Sequence, residues 1–449
     1  MKPHPLLFRG IAIAAVALSI LLPIALIEGK VAERRVRAEG VLQQFARETA
    51  GTQVIAGPLL ALACEETFTE EREIKRGGKA ETISEQKVRA CPTAYIAPRT
   101  LRVQGHLPVD ERHRGIYKIR LYRSKLQLTG ELAWPAPPRP SGEGTRVWKQ
   151  AHLVVVVSDA RGIREVRSTP PATQGGGATD PRFAIRSDLG EYSPARAGEK
   201  LPFDLSLELL GTTTFGVAPV GDDTRIAITS DWPHPSFTGG WSPDERRVSP
   251  QGFEATWRMT HHATGGQAAW QQEAQSGRLF QPGLAVAGVA LFDPVNVYSL
   301  SYRATEYGFL FVLFTFGALA LTEVLSGARL HVMQYLLVGT ALAVFFLLLL
   351  ALSEHVAFAY AYAGAAVACV ALLTFYLRHP LGAARRAGAF FALFAGMYGA
   401  LYVLLRSEDH ALLMGSLLVF ALLAVAMVTT RRIDWTGISR RMGAGQAAA

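Results

Sequence analysis

YLLVGTALAVFFLLLLAL, residues 335–352, is the stretch that decides the fold. It has no formal charge and is long enough to cross the roughly 30 Å hydrocarbon core as one helix. Similar runs lie around it at 307–325, 356–377, 388–405 and 411–429. Each has about 18 to 22 residues, again a membrane-crossing length. The gaps between them are short, so neighbours are expected to run antiparallel.

One more apolar run, 6–27, opens the chain behind Lys2 and Arg9. It is too long for a signal-peptide core, and Glu28-Gly29-Lys30 follows it in place of a small-residue cleavage site. It therefore reads as an anchor. The 28–51 stretch lacks proline and is rich in Glu, Arg, Ala and Gln, which predicts a helical extension ending near Gly51.

Loop charge sets the expected orientation. Arg329, Arg378, Arg385, Arg386, Arg431, Arg432, Arg440 and Arg441 fall on one side of an alternating six-helix path. The two short loops opposite contain only Arg406, at a helix end. Both termini are expected in the cytoplasm and the large central domain in the periplasm of a bacterial inner membrane.

Between 52 and 306 the period changes. Alternation or valine runs at 117–131, 152–158, 201–210, 225–229, 252–258 and 284–292 predict strands, with Gly/Pro clusters between them. The expected class is thus a membrane protein with six transmembrane helices, one N-terminal and five C-terminal. Its large β-rich domain is expected to be a sandwich of antiparallel sheets. The expected divisions are 1–27, 28–51, 52–306, 307–429 and a tail at 430–449.

The 449 residues are 49% hydrophobic and 18% charged, with mean hydropathy +0.18. The net charge of +9 could point to nucleic acid, but the basic residues form no stripe and many flank membrane runs. The expected partners are the lipid bilayer and an envelope protein or cell-wall component, with no nucleic acid. Cys369 lies in an apolar run and reads as a packing residue. Cys64 and Cys91 pair if their stretch faces an oxidising compartment and stay free thiols if it does not.

Catalytic signatures are missing from the sequence: there is no phosphate loop, H-E-x-x-H, C-x-x-C or G-x-S-x-G. No enzyme activity, cofactor or metal is expected. His261 and His262 are adjacent and, on a strand, would point to opposite faces. His234 lies between Pro233 and Pro235, so a stiff segment presents it beside Trp232 and Phe237. That segment reads either as a recognition loop or as a structural corner plugging the core. Asp159 reads as a turn residue, with Gly162 expected to supply a positive φ.

Glu354 and His355 close one membrane helix, and Glu408, Asp409 and His410 precede another. With Trp232 and His234 these five form the candidate functional surface; the five, whose three acids are opposite in sign to Arg34, Arg35 and Arg37, are expected to seat the β-domain. A merely solvated rim is the plainer reading. The membrane runs hold almost no charge, which argues against a coupled transporter. A transporter or flippase for an envelope component is the alternative function. Ala357, Ala361, Ala365 and Cys369 make a small-residue row suited to close helix packing.

Specific strings also carry a resemblance. They include Gly57-Pro58-Leu59, Gly115-Ile116-Tyr117, Ser158-Asp159-Ala160-Arg161-Gly162-Ile163, and Thr229-Ser230-Asp231-Trp232-Pro233-His234-Pro235-Ser236-Phe237. Arg329-Leu330-His331-Val332-Met333-Gln334-Tyr335, Leu350-Ala351-Leu352-Ser353-Glu354-His355 and Arg432-Ile433-Asp434-Trp435 follow in the membrane half. In this order they resemble the CreD family of inner-membrane proteins. Val332 departs from it, standing where members often have proline, and so does the Cys64/Cys91 pair. The resemblance implies a role in cell envelope integrity and stress response, under two-component control, with altered tolerance to colicins or β-lactams. It implies no reaction.

Overall fold

The computed structural model describes the chain except residues 1–4, 77–78, 139–143, 172, 175–184, 277–284, 292–295, 327–329, 381–383, 408–410 and 432–449. It divides into two compact units, Met1–Glu39 with Val295–Ala449, and Gly40–Pro294.

The first unit is helical. Its elements are α1 (Pro5–Glu48), which continues past the division, and then, after the β-rich unit, α4 (Val297–Glu306), α5 (Gly308–Ser326), α6 (Val332–Ser353), α7 (Phe358–Arg378), α8 (Ala384–Arg406) and α9 (Ala411–Thr430). The β-rich unit holds the short α2 (His261–Thr264) and α3 (Gly266–Gln275). Among the described residues, α1, α6, α7 and α8 are long and apolar enough to cross a membrane. The pair α4–α5, bent by 40° at Tyr307, makes a fifth if counted as one span.

Length alone does not make these helices a bundle; their faces do. Ile20 and Ile24 of α1 share one buried cluster with Phe316, Val338, Leu342, Phe345 and Phe394. Gly339 lets α1 approach α6, since a Cβ there would lie 2.6 Å from Ile20 Cγ1. Ala361, Ala365 and Cys369 are buried on α7, while Ala357 sits exposed at its N-cap. The opposite faces expose Leu22, Leu337, Phe375 and Val403. In water such faces would be costly; lipid is the solvent that suits them. α6 starts sharply because His331 Nδ1 accepts from Met333 N and Gln334 Oε1 accepts from His331 N. Val332, the family departure, is its first residue.

The β-rich unit contains β1 (Gln53–Arg76), β2 (Lys79–Ile96), β3 (Thr100–Leu107), β4 (Val109–Arg114), β5 (Tyr117–Ala133), β6 (Gly144–Val157), β7 (Ile163–Thr169) and β8 (Thr173–Gln174). It continues through β9 (Ile185–Glu191), β10 (Lys200–Thr212), β11 (Thr214–Val217), β12 (Asp223–Ser230), β13 (Pro235–Gly239), β14 (Glu245–Ser249), β15 (Gly252–Thr260) and β16 (Ala287–Leu291). One sheet runs β13-β16-β11-β1-β6-β9-β8 with β2 on β1; the other runs β14-β15-β12-β3-β5-β10-β7 with β4 on β5.

Inward residues of both sheets, such as Leu60, Val154 and Phe215 from one and Val103, Leu128 and Leu205 from the other, form a single core. This is a sandwich. Tyr122 of β5 crosses it. Its hydroxyl donates to Thr214 O at 2.6 Å, accepts from Gln53 N at 3.3 Å, and its ring meets Phe215 edge-on. Burial pushes that hydroxyl's pKa up, so it remains a donor.

Two sequence expectations need correction, and one element has no local signal. The sheets are not wholly antiparallel, because β1–β11 and β12–β3 pair in parallel. The long β1–β2 hairpin carries no such signal, because its outer part is charged and lacks an alternating apolar face. His261 and His262 open α2 rather than lie on a strand, and their rings stand 3.9 Å apart. Cys64 and Cys91 face each other across that hairpin, Cα–Cα 5.0 Å, and are joined as a disulfide.

Candidate functional site

Glu354 is the C-cap of α6, and its side chain is only 9% exposed. Arg34 of α1, in the same unit, brings Nε to 3.6 Å from Glu354 Oε1. That distance is an ion pair without a hydrogen bond, and among the described residues Oε1 accepts none. His355 Nδ1 donates to Ala351 O at 3.0 Å, closing the helix end. Arg35 and Arg37 pair instead along their own helix, with Glu39 at 3.3 Å and Glu33 at 3.1 Å. The structure thus joins one rim acid to one of the three arginines. Glu408, Asp409 and His410 lie outside the described residues.

The Trp232–Phe237 segment follows β12. Ser230 Oγ accepts from Trp232 N, and Asp231 Oδ1 accepts from Val109 N. Trp232 Nε1 donates to His234 O at 3.0 Å, and Arg120 lies 4.5 Å from the Trp232 ring. Phe237 packs edge-on against Phe253 and Trp257, so it belongs to the sandwich. Trp232 is half-buried and His234 is exposed. The two prolines therefore hold a corner with one imidazole on its outside. Among the described residues no three His, Cys, Asp or Glu side chains converge as metal ligands do.

Asp159 makes a latch. Its carboxylate accepts from Gly51 N at 3.1 Å and from Arg161 N and Nε at 3.1 and 2.9 Å. The Arg161 contact holds it below the usual carboxylate range, which suits an anchor better than a general base. Gly162 has no positive φ, contrary to expectation. It is glycine because a Cβ would overlap Leu210 O and Gln53 Nε2.

Two features escaped the sequence reading. Inside the helical unit, the Tyr335 hydroxyl donates to buried Glu323 Oε2 at 3.1 Å. Each sits within a turn of its helix end, and an isolated Glu late in an apolar run was the only signal. The second feature is an open hollow of about 720 Å³ on the outer face of the second sheet. Gln104, Gln127 and Ser206 stand in one row across β3, β5 and β10; His106, Lys125 and Glu208 stand in the next. Polar residues at alternate strand positions were visible, but their neighbours across the sheet were not.

The family model described as Inner membrane protein CreD matches residues 5–436. The chain is also 31% identical, over 453 residues, to Inner membrane protein CreD of Escherichia coli (strain K12), covering 98% of this chain and 96% of that protein. On both the matched span and the identity, this membrane protein belongs to the CreD family.

Proposed function

We propose that the chain is a non-enzymatic inner-membrane protein of envelope integrity and stress response, whose β-rich unit binds or senses an envelope component in the periplasm. The observation that carries this is the open polar hollow in the second sheet. Its side chains are amides, hydroxyls and charges borne on adjoining strands, a surface suited to recognition. The Cys64–Cys91 disulfide supports an oxidising compartment for this unit. The loop arginines support cytoplasmic termini. Six spans result if α4–α5 is one span and α9 the last.

The transporter alternative draws on Glu323, a carboxylate buried among apolar helices. Its place near a helix end, bonded to Tyr335, favours a helix clamp over a transport path.

Crosslinking in intact cells, followed by purification of the full chain in detergent and mass spectrometry, tests the proposal. The expected crosslinks join the β-rich unit to an envelope protein or cell-wall fragment. Crosslinks confined to cytoplasmic proteins would overturn it.

A further inference from the structure

On the outer face of the second sheet Lys125 and Arg102 pair with no carboxylate among the described residues, against one carboxylate without an ion pair, Asp204, which accepts from Gln127 Nε2 at 3.5 Å. Around the hollow, Glu208 is paired with Arg123 at 3.5 Å and Glu165 with Arg167. Lys125, exposed at the centre of its row, has no carboxylate within ion-pair reach among the described residues. Two rows from Lys125, beyond Gln104, Gln127 and Ser206 and outside the lining of the hollow, the arrangement is stranger. Arg102, Arg225 and Arg258 stand directly opposite one another on β3, β12 and β15. Like charges in register destabilise a sheet. Arg225 reaches Asp223 at 3.8 Å and Arg258 reaches Glu245 at 3.7 Å, both loose contacts. Arg102 reaches no carboxylate among the described residues. An anion laid across this face would relieve the repulsion.

The rest of the hollow narrows the class of anion. A peptide strand binds a sheet by adding to an edge, where backbone groups are free. Here β3 and β5 are paired on both sides, so their main-chain groups are taken and only side chains face the ligand. Those side chains include Gln104, Gln127 and Ser206, which both donate and accept hydrogen bonds. They match sugar hydroxyl and acetamido groups. Among the described residues lining the hollow no large apolar side chain points outward to take an acyl chain, because Leu126 and Leu207 belong to the core. A volume of about 720 Å³ is of ligand size.

We propose that this hollow binds an anionic glycan, with its amides and hydroxyl on the sugar and Lys125 on the acid group. The proposal rests on the reading that the β-rich unit binds an envelope component, and it adds the site and the ligand class.

The test is calorimetric titration of the full-length protein in detergent at low salt. Three probes are compared: the acidic disaccharide of N-acetylglucosamine and N-acetylmuramic acid, neutral chitobiose, and a tetraglutamate peptide. The acidic disaccharide is expected to bind roughly tenfold or more tightly than chitobiose, as one charge-assisted contact would give. Lys125→Gln should weaken it several-fold, Lys125→Arg should largely retain it, Arg102→Gln, outside the hollow, should weaken it less than Lys125→Gln, and raised salt should weaken it. These residues are exposed, so the variants should fold, and circular dichroism checks that. Equal affinity for chitobiose, or indifference to Lys125→Gln, would overturn the proposal. Tighter, Lys125-dependent binding of tetraglutamate would overturn the glycan assignment in favour of acidic peptides. If no disaccharide binds while envelope crosslinks to the β-rich unit persist, this inference fails and the broader reading stands. If both are lost, both fail.

Discussion

The Arg34 guanidinium stands 3.6 Å from the Glu354 carboxylate and so ties α1 to the end of α6 within one unit. Glu354 is nearly buried and Arg34 is 41% exposed, so the pair is partly screened. Glu354→Lys should lower the stability of the helical unit by about 1 kcal/mol, mostly through like charge beside Arg34. Adding Arg34→Glu should restore most of it. Thermal unfolding in detergent provides the comparison, and a single variant as stable as the parent would remove this contact from the account.

Cys64 and Cys91 should resist thiol labelling under denaturing, non-reducing conditions, while Cys369 should react. Labelling of all three in protein from its native compartment would contradict the disulfide. Replacing Cys64 and Cys91 with serine reopens a loop spanning 27 positions. The expected loss is about 3 kcal/mol in the chain-entropy account. Urea unfolding followed by tryptophan fluorescence measures it, since six of the seven tryptophans lie in the β-rich unit.

His152 gives that unit a pH dependence. Burial, and then the Arg186 guanidinium, hold its imidazole below the ordinary value of 6.5; Asp188, 3.5 Å from Nδ1, opposes them. Arg186 donates to Nε2, so the neutral ring keeps its proton on Nδ1. On acidification the unfolded chain protonates this imidazole first, which favours unfolding. Stability is therefore full above about pH 7 and falls as pH drops through 6.5 towards the lower folded value. The urea midpoint should be lower at pH 5.5 than at pH 7.5, and His152→Phe should shrink that difference. An unchanged difference would assign the effect to other groups.

Two glycines separate close packing from backbone conformation. Gly162→Ala puts a methyl group onto Leu210 O and Gln53 Nε2, in a turn held by Asp159. The expected loss is about 2–3 kcal/mol. Gly115→Ala meets no atom within 4 Å but must adopt φ +63° between β4 and β5. Its cost should be about 1 kcal/mol. Reversal of that order in urea midpoints would contradict the reading.

Topology can be read with reporters active only outside the cytoplasm. Fusions after Ala50 or near His355 should be active, and fusions after Arg385 or at Ala449 should be silent. An active fusion at Ala449 would break the even count of six spans.

The sequence by itself determined the parts of this protein whose signal is local. An uncharged run of membrane length identifies α6, α7 and α8 because crossing lipid depends on the residues of one segment alone. Alternation identified β5, β10, β12 and β15 for the same reason, since one strand carries its own inward and outward faces. The family strings likewise lie in short contiguous pieces. Tertiary structure decided what needs partners far apart in the chain. The parallel pairing of β3 with β12, Arg34 against Glu354, and the Arg186–His152 contact have no local signature. The polar hollow is the clearest case. Gln104, Lys125 and Ser206 are ordinary outward residues of three strands until strand order and register set them side by side, and only that alignment makes them a surface.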